Sequence, residues 1–457
     1  MDKIRLLQSR KQKILQAGKV IRKDIETLID KDSFVELSAF SFSKNEFYGE
    51  EAEGEGVVTG FATVEGYPFY IVAQNSEVLS GGVSKANCEK ISKCLNQAEK
   101  TSTPVIYMLS SLGVQIGEGV NVLEGLAELI LKAAQLKGTV PQYLIVNGEA
   151  YGQIALLSGL CDFTFFIDKK SALAANSPLV ISAASGTNLN KFDVCGATGL
   201  DKSNLVSFTV KNVSEIKSLI YRLNELLSTA VIDCAELNES IPALDKKNDA
   251  DTIMKVFDKE SAVEIGGTYS PEIKCLLARI GGISVAAIVF NANEGVKLNA
   301  RNVRKIKDFA EFACCYNLPY LTFVNTLGIQ SDIETNNSTV IKELGEYVSI
   351  LDCICSAKIS VVYGKAIGLG YTIFAAKSMG YDYTYAFANA KIALFDSFQG
   401  AEIEFSETKA DKNELALRYA EENSDPVNAA KGGYIDNIIQ PSFLKQYLIA
   451  SLQMLLK

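Results

Sequence analysis

Two ten-residue stretches hold the residues best suited to chemistry. Val146-Asn147-Gly148-Glu149-Ala150-Tyr151-Gly152-Gln153-Ile154-Ala155 and Val362-Tyr363-Gly364-Lys365-Ala366-Ile367-Gly368-Leu369-Gly370-Tyr371 share a Gly-x-Ala-x-Gly core, 216 residues apart. In the first, the apolar run Tyr143 to Val146 reads as a short buried strand, a glycine turn follows, and Ile154-Ala155-Leu156-Leu157 opens a helix. Such a turn aims successive backbone N–H groups at one point, where they can hold an oxygen that turns negative during a reaction. Close packing of helix on strand also calls for glycine there, and the turn alone leaves both readings open.

The rest of the composition narrows what those turns could do. The 457 residues include no histidine and no tryptophan. Ser-His and Cys-His nucleophile systems are therefore excluded, and the commonest metal ligand is missing. Catalysis must rest on backbone donors, carboxylates, Lys, Tyr or a bound cofactor. A net charge of −9 argues against nucleic acid. The longest uncharged apolar runs, such as Ile283 to Asn291, are of strand length, so no membrane span is expected. The start, Met-Asp-Lys, shows no apolar leader, and a cytoplasmic protein is expected. The ten cysteines fall without metal-ligand spacing and read as reduced thiols; no metal site is expected.

The elements that would position the turns can be read in order. Residues 1 to about 29 carry apolar positions at helical spacing, with a basic face (Arg5, Arg10, Lys11, Lys13, Arg22, Lys23) that is either solvated or a docking surface for an acidic partner or phosphate. Turn and strand follow over 30–37, then strands 56–63 and 68–74 joined at Glu65-Gly66. Gly81-Gly82 leads to a helix over 84–100, then come strand 104–110, loop 112–115, helix 118–136 and, past the turn, strand 162–168. Residues 185–248 have weak periodicity, with a helix predicted over 213–230 and a linker over 240–251.

The pattern then restarts. Asp258 to Ile265 echoes 30–37, Lys305-Ile306 echoes Lys90-Ile91, Leu318-Pro319-Tyr320-Leu321 echoes Thr103-Pro104-Val105-Ile106, and Leu327-Gly328-Ile329-Gln330 echoes Leu112-Gly113-Val114-Gln115. A matched order at a steady offset predicts an α/β protein made of two copies of one unit, residues 1–240 and 241–457. Two facing turns would hold two polarised oxygens at once, which suits two carbonyl-bearing substrates passing through enolate-like states.

The order of landmarks resembles the carboxyltransferase subunits of biotin-dependent acyl-CoA carboxylases and decarboxylases. It rests on Asp32-Ser33-Phe34-Val35-Glu36, Gly54-Glu55-Gly56-Val57-Val58-Thr59-Gly60, Ile116-Gly117-Glu118-Gly119-Val120, Leu318 to Val324, Lys365-Ala366-Ile367-Gly368 and Ala429-Ala430-Lys431-Gly432-Gly433-Tyr434-Ile435-Asp436-Asn437-Ile438-Ile439-Gln440-Pro441. The resemblance implies two tandem crotonase-like domains, each a ββα superhelix, with acyl-CoA on the first and carboxybiotin on the second. It implies assembly into homo- or hetero-oligomers, hexamer or dimer, in which the first half of one subunit faces the second half of another. Biotin would not be attached to this chain but delivered on a biotin carboxyl carrier protein, with biotin carboxylase or a decarboxylase membrane subunit as a further partner. Biotin itself would take the substrate's α-proton, so no protein base is needed. Mapped by position, the thioester oxygen meets Gly152 and Gln153 and the biotin oxygen meets Leu369 and Gly370. Gly81, Gly82, Ser111, Leu112, Gly113, Tyr151, Gly368 and Thr372 fall at substrate-binding positions, Thr372 where the family tunes acyl preference. The family's Asp-Ser-Gly-Gly-Ala-Arg-Ile loop stands here as Ser110-Ser111-Leu112-Gly113-Val114-Gln115-Ile116, and its glycine pairs as Gly152-Gln153 and Gly368-Leu369. Two other readings stand beside this one. The chain is a catalytically silent structural paralogue, or it is another crotonase-type acyl-CoA enzyme using Glu118 and Glu149 as acid and base.

Overall fold

The computed structural model describes residues 3–41, 44–45, 50–51, 53–227, 238–406 and 411–456. The chain packs into two compact units, Met1–Asn224 and Glu225–Lys457, a division that falls ahead of the expected 240/241 boundary.

The first unit opens with helices α1 (Lys3–Ala17) and α2 (Lys19–Leu28). The single helix expected here is interrupted at Gly18, which leaves helical geometry at φ −133°, ψ 37°. The sheet is built from β1 (Val35–Leu37), β2 (Val57–Val64), β3 (Tyr67–Gln74), β4 (Val105–Ser111), β5 (Gln142–Tyr151), β6 (Phe163–Ile167), β7 (Ala172–Ala174) and β8 (Phe208–Val210). Its order is β1-β2-β3-β4-β5-β6-β8, with β7 paired to the far end of β5. β1 to β3 pair antiparallel, and from β3 onward every pairing is parallel. Helices α3 (Lys85–Thr101) and α4 (Val120–Leu136) return the chain between the parallel strands and pack on each other over the main apolar core. Their apolar residues recur at three and four, and Leu95, Ala98, Leu126, Leu129 and Ala133 are buried. Helices α5 (Pro178–Ser185), α6 (Lys191–Cys195) and α7 (Val213–Leu227) follow β7.

The second unit repeats this plan. Its strands are β9 (Val263–Ile265), β10 (Ile273–Ile280), β11 (Ile283–Phe290), β12 (Val296–Leu298), β13 (Tyr320–Ile329), β14 (Lys358–Ile367), β15 (Tyr383–Phe387), β16 (Lys391–Ala393) and β17 (Asn437–Ile439). The order is β9-β10-β11-β13-β14-β15-β17, with β12 on β13 and β16 on β14. Helices α8 (Ala300–Cys315) and α9 (Val340–Cys353) match α3 and α4, a short α10 (Leu369–Phe374) follows β14, and α11 (Leu444–Leu455) closes the chain.

Individual polar contacts repeat as well. Asp30 accepts the N–H groups of Glu65 and Gly66 in the β2–β3 turn (3.0 and 2.8 Å) and pairs with Lys217. Asp258 does the same with Gly281, Gly282 and Lys445 (3.1, 2.8 and 3.1 Å). The buried Lys90 donates to the carbonyls of Gly54 and Val57, as Lys305 does to those of Ser270 and Ile273. The expected duplication is thus present in side-chain wiring as well as in element order.

Three local expectations change. β5 does not end at Val146 but runs to Tyr151, because its last three residues pair with β7. The short strand β8 lies within the stretch expected to be irregular. The stretch 240–251, expected as a linker, carries the single-turn helix Ala243–Lys246 and the start of a second, Ala250–Ile253. The predicted helix 213–230 is seen to Leu227; its last three positions lie outside the described residues.

Candidate functional site

The two Gly-x-Ala-x-Gly cores end their strands alike. The first glycine of each allows close approach: a Cβ on Gly148 would stand 2.6 Å from Ser110 Oγ, and one on Gly364 would stand 2.4 Å from Asn325 Oδ1. The second supplies a positive φ that turns the chain out of the sheet. Gly152 lies at φ 82°, ψ −153° and Gly368 at φ 53°, ψ −127°. Packing and turn geometry are therefore both served, by different glycines.

The donors these turns offer differ by one residue from the expectation at the first site. The N–H of Gly152 is taken by the Ala174 carbonyl (3.0 Å), and that of Gly368 by the Ala393 carbonyl (3.0 Å). Gly152 shapes the turn, and its N–H is spent on Ala174 within the fold. The N–H groups that follow belong to first helical turns, whose early donors have no intrahelical acceptor. In the first unit a 3₁₀ helix, Gln153–Gly159, starts its internal bonding with Ala155 N–H to Gly152 C=O. In the second, α10 starts with Thr372 N–H to Gly368 C=O. Among the described residues no acceptor meets the N–H groups of Gln153 and Ile154, or those of Leu369 and Gly370. The Gln153 and Leu369 side chains are exposed.

Around the first turn the structure collects most of the predicted residues. Gly81 has φ 68°, and a Cβ there would stand 2.1 Å from the Ser110 carbonyl, so this loop lies directly on the end of β4. Val83 N–H donates to Gly113 C=O, Leu112 N–H to Ser80 C=O, and Gln115 Nε2 to Gly82 C=O (2.9, 3.2 and 3.2 Å). Ser111 Oγ meets both polar groups of Gly113. A Cβ on Gly152 would stand 3.9 Å from the Gly113 Cα. Gly81, Gly82, Ser111, Leu112, Gly113 and Gly152 therefore form one rim, with the Leu112 side chain exposed on it. Tyr151 is buried with Cys195 and Ala172, away from solvent.

Around the second turn, Gly370 seats against β13: a Cβ there would stand 2.4 Å from Thr326 Cγ2 and 3.5 Å from the Gly328 nitrogen. The same strand end borders a 430 Å³ cavity lined by Lys297, Leu327, Ile329, Gln330, Asp332 and Asp396. Thr372 is exposed and its hydroxyl bonds back to the Gly368 carbonyl. Ile154, Lys297 and Asp396 were not singled out from the sequence. Ile154 was there to be found, since it is the partner of Gly370 under the repeat.

Neither candidate carboxylate suits acid–base work. Glu118 accepts the first N–H of α3, from Lys85, at 2.7 Å and so caps that helix. Burial, the largest single influence, would raise the Glu149 carboxyl, but the Lys191 ammonium 2.6 Å away and the Tyr151 hydroxyl together outweigh it and hold the group below the usual carboxylate range. A proton donor near neutrality needs the opposite shift. Among the described residues no three His, Cys, Asp or Glu side chains are grouped to hold a metal ion, and no helix is long and apolar enough to cross a membrane.

A carboxyl transferase domain model matches residues 14–457. The chain belongs to the carboxyl transferase family. It is an enzyme subunit of the carboxyltransferase kind. Its relatives include a propionyl-CoA carboxylase beta chain of Saccharopolyspora erythraea, 27% identical over 95% of this chain and 87% of the relative. Another is the methylmalonyl-CoA decarboxylase subunit alpha of Veillonella parvula, 27% identical over 96% of this chain and 90% of that protein. The crystal structure of transcarboxylase 12S with methylmalonyl-coenzyme A and methylmalonic acid bound superposes with a TM-score of 0.89, at 24% identity, over 99% of this chain and 94% of that one. The expected tandem crotonase-like fold is thereby borne out.

Proposed function

We propose that the chain moves a carboxyl group between biotin on a carrier protein and an acyl-CoA of the propionyl/methylmalonyl or a closely similar type. The observation that carries this reading is the pair of matched donor turns, each with two successive backbone N–H groups that meet no acceptor among the described residues, in a chain of the carboxyl transferase family. The Gln153 and Ile154 donors receive the thioester oxygen as it gains charge, which stabilises the enolate. The Leu369 and Gly370 donors, beside the cavity at Leu327, fit the ureido oxygen of biotin. Carboxybiotin on its carrier supplies the carboxyl group. This chain's own residues orient the two carbonyls, hold their developing charge and shield the site from water. No side chain need serve as base, in keeping with the absence of histidine. Relatives named for propionyl-CoA carboxylase and methylmalonyl-CoA decarboxylase support the acyl class. The same donors serve carboxylation and decarboxylation. Bringing the two turns to a shared space is assigned to pairing of subunits in an oligomer.

The test is transfer in reverse. Protein, biotin (free or on a carrier) and malonyl-, methylmalonyl- or glutaconyl-CoA should yield biotin-dependent decarboxylated CoA product, read by mass spectrometry. Gln153→Pro removes one donor at a first helical position, where proline fits. It should lower turnover by about 10²–10³-fold, while Gln153→Gly and Leu369→Gly keep or raise it. A folded Gln153→Pro protein with normal turnover would remove the oxyanion role.

A further inference from the structure

Four of the chain's cysteines lie at or just past the C-terminal ends of two packed helices in the second unit, unconnected with the donor turns. Cys314 and Cys315 end α8, and Cys353 ends α9 with Cys355 two residues on. The two helices pack against each other, and both feed parallel neighbouring strands, β13 and β14. The register fixes how the ends relate. Tyr320 is paired with Lys358, so Cys315 and Cys353 stand at equal distances before a matched strand position. Tyr320 N–H also bonds the Ala357 carbonyl at 2.8 Å, which draws the two lead-in segments together.

Packed helices lie ~8–10 Å apart and neighbouring strands ~4.8 Å apart. The interval between helix end and strand start narrows from the first spacing to the second. A disulfide spans Cα atoms about 4.4–6.8 Å apart, a distance this interval must pass through. Cys315, Cys353 and Cys355 are exposed and Cys314 is half-buried; none is in a disulfide. Burial, and after it the thiols of Cys315, Cys353 and Cys355, push the Cys314 thiol up, which puts those three within electrostatic reach of Cys314. The fold does not require sulfur here. In the first unit the matching register pair is Val105 and Gln142, and the matching positions hold Lys100 and Lys137.

We propose that these four thiols are a redox-responsive site, at which a low-molecular-weight disulfide converts one thiol of Cys314–Cys315 and one of Cys353–Cys355 into a single disulfide bond joining the ends of α8 and α9. An exposed thiolate attacks the small disulfide, forms a mixed disulfide and releases one small thiolate. A thiolate of the other pair then attacks the protein sulfur of that mixed disulfide and releases the second. Two electrons pass from protein to small disulfide, and the two protein protons end on the two released thiols. The bond ties together the segments that lead into β13, whose far end carries Gly328, and β14, whose far end is followed by Gly368.

Whole protein would be exposed to excess oxidised glutathione, alkylated, and digested with trypsin without reduction. Trypsin leaves Cys314 and Cys315 on the peptide 308–342 and Cys353 and Cys355 on 343–358, with no other cysteine on either. The expected product is these two peptides linked, lighter by two hydrogens than their sum and separated by reductant. Its yield should be at least tenfold above any other cross-peptide pairing of the ten cysteines, and tenfold above its yield from urea-unfolded protein. Cys353→Ser/Cys355→Ser, at exposed positions that tolerate a hydroxyl, should abolish it. Bonds confined within one peptide, mixed disulfides alone, or equal yields from folded and unfolded protein would overturn the proposal.

Discussion

At the scale of single residues, the glycines divide the work of the turn between space and backbone angle, and substitutions should separate the two. Gly152 sits at a φ, ψ pair that is almost closed to other residues, and holding a side chain there costs about 1–3 kcal/mol. Its surroundings are open, with the nearest atom 3.9 Å from where an added methyl group would stand. Gly152→Ala should therefore fold, lose roughly that much stability in urea titration, and lose carboxyl transfer because the Gln153 and Ile154 N–H groups turn away. Unchanged transfer together with the stability loss would mean that the turn's angle does not set the donors. The sequence located this glycine but not the fate of its N–H. That group is consumed by Ala174, on a strand three residues long whose pairing no local pattern announces.

At the scale of elements, legibility followed burial. The strands at Val105 and Tyr143 announce themselves as unbroken apolar runs because both faces are covered. β8 has a mixed burial pattern over three residues and gives no periodicity to read. The apolar stripe of α3 was equally plain, and it places two thiols in the core. Burial first, then Glu118 and Glu128, pushes the Cys88 thiol up to about 12, and burial pushes Cys94 up to about 12. Both are acids whose pKa is higher folded than unfolded. Their contribution is fully present below the unfolded value of about 8.5 and is lost as pH rises from there toward about 12. At about pH 10 each costs ~1–2 kcal/mol. A Cys88→Ala/Cys94→Ala protein, although less stable at about pH 8, should lose less stability than the parent between about pH 8 and pH 10. Parallel losses in equilibrium urea unfolding would show that α3 does not hold its thiols neutral.

At the scale of the whole molecule, the duplication explains why two turns of identical design need not do identical work. Element order, the Asp30–Lys217 and Asp258–Lys445 pairs, and the buried Lys90 and Lys305 are common to both halves. What differs lies at the turns themselves: Gln153 with Ile154 in one half, Leu369 with Gly370 in the other. If the first half receives the acyl-CoA and the second the biotin ring, loss of a donor should have different consequences in each. Leu369→Pro removes a donor at the first position of α10, where proline is tolerated. It should cut biotin-dependent decarboxylation of methylmalonyl-CoA by about 10²–10³-fold, yet leave acyl-CoA affinity, measured by calorimetry, within about threefold of the parent. Gln153→Pro should lower the same turnover, and raising the biotin concentration should restore none of it, because the enolate on the acyl side loses its stabilisation. Were Leu369→Pro instead to weaken acyl-CoA binding while biotin dependence stayed normal, the assignment of substrates to halves would have to be exchanged, although both turns would keep their chemistry.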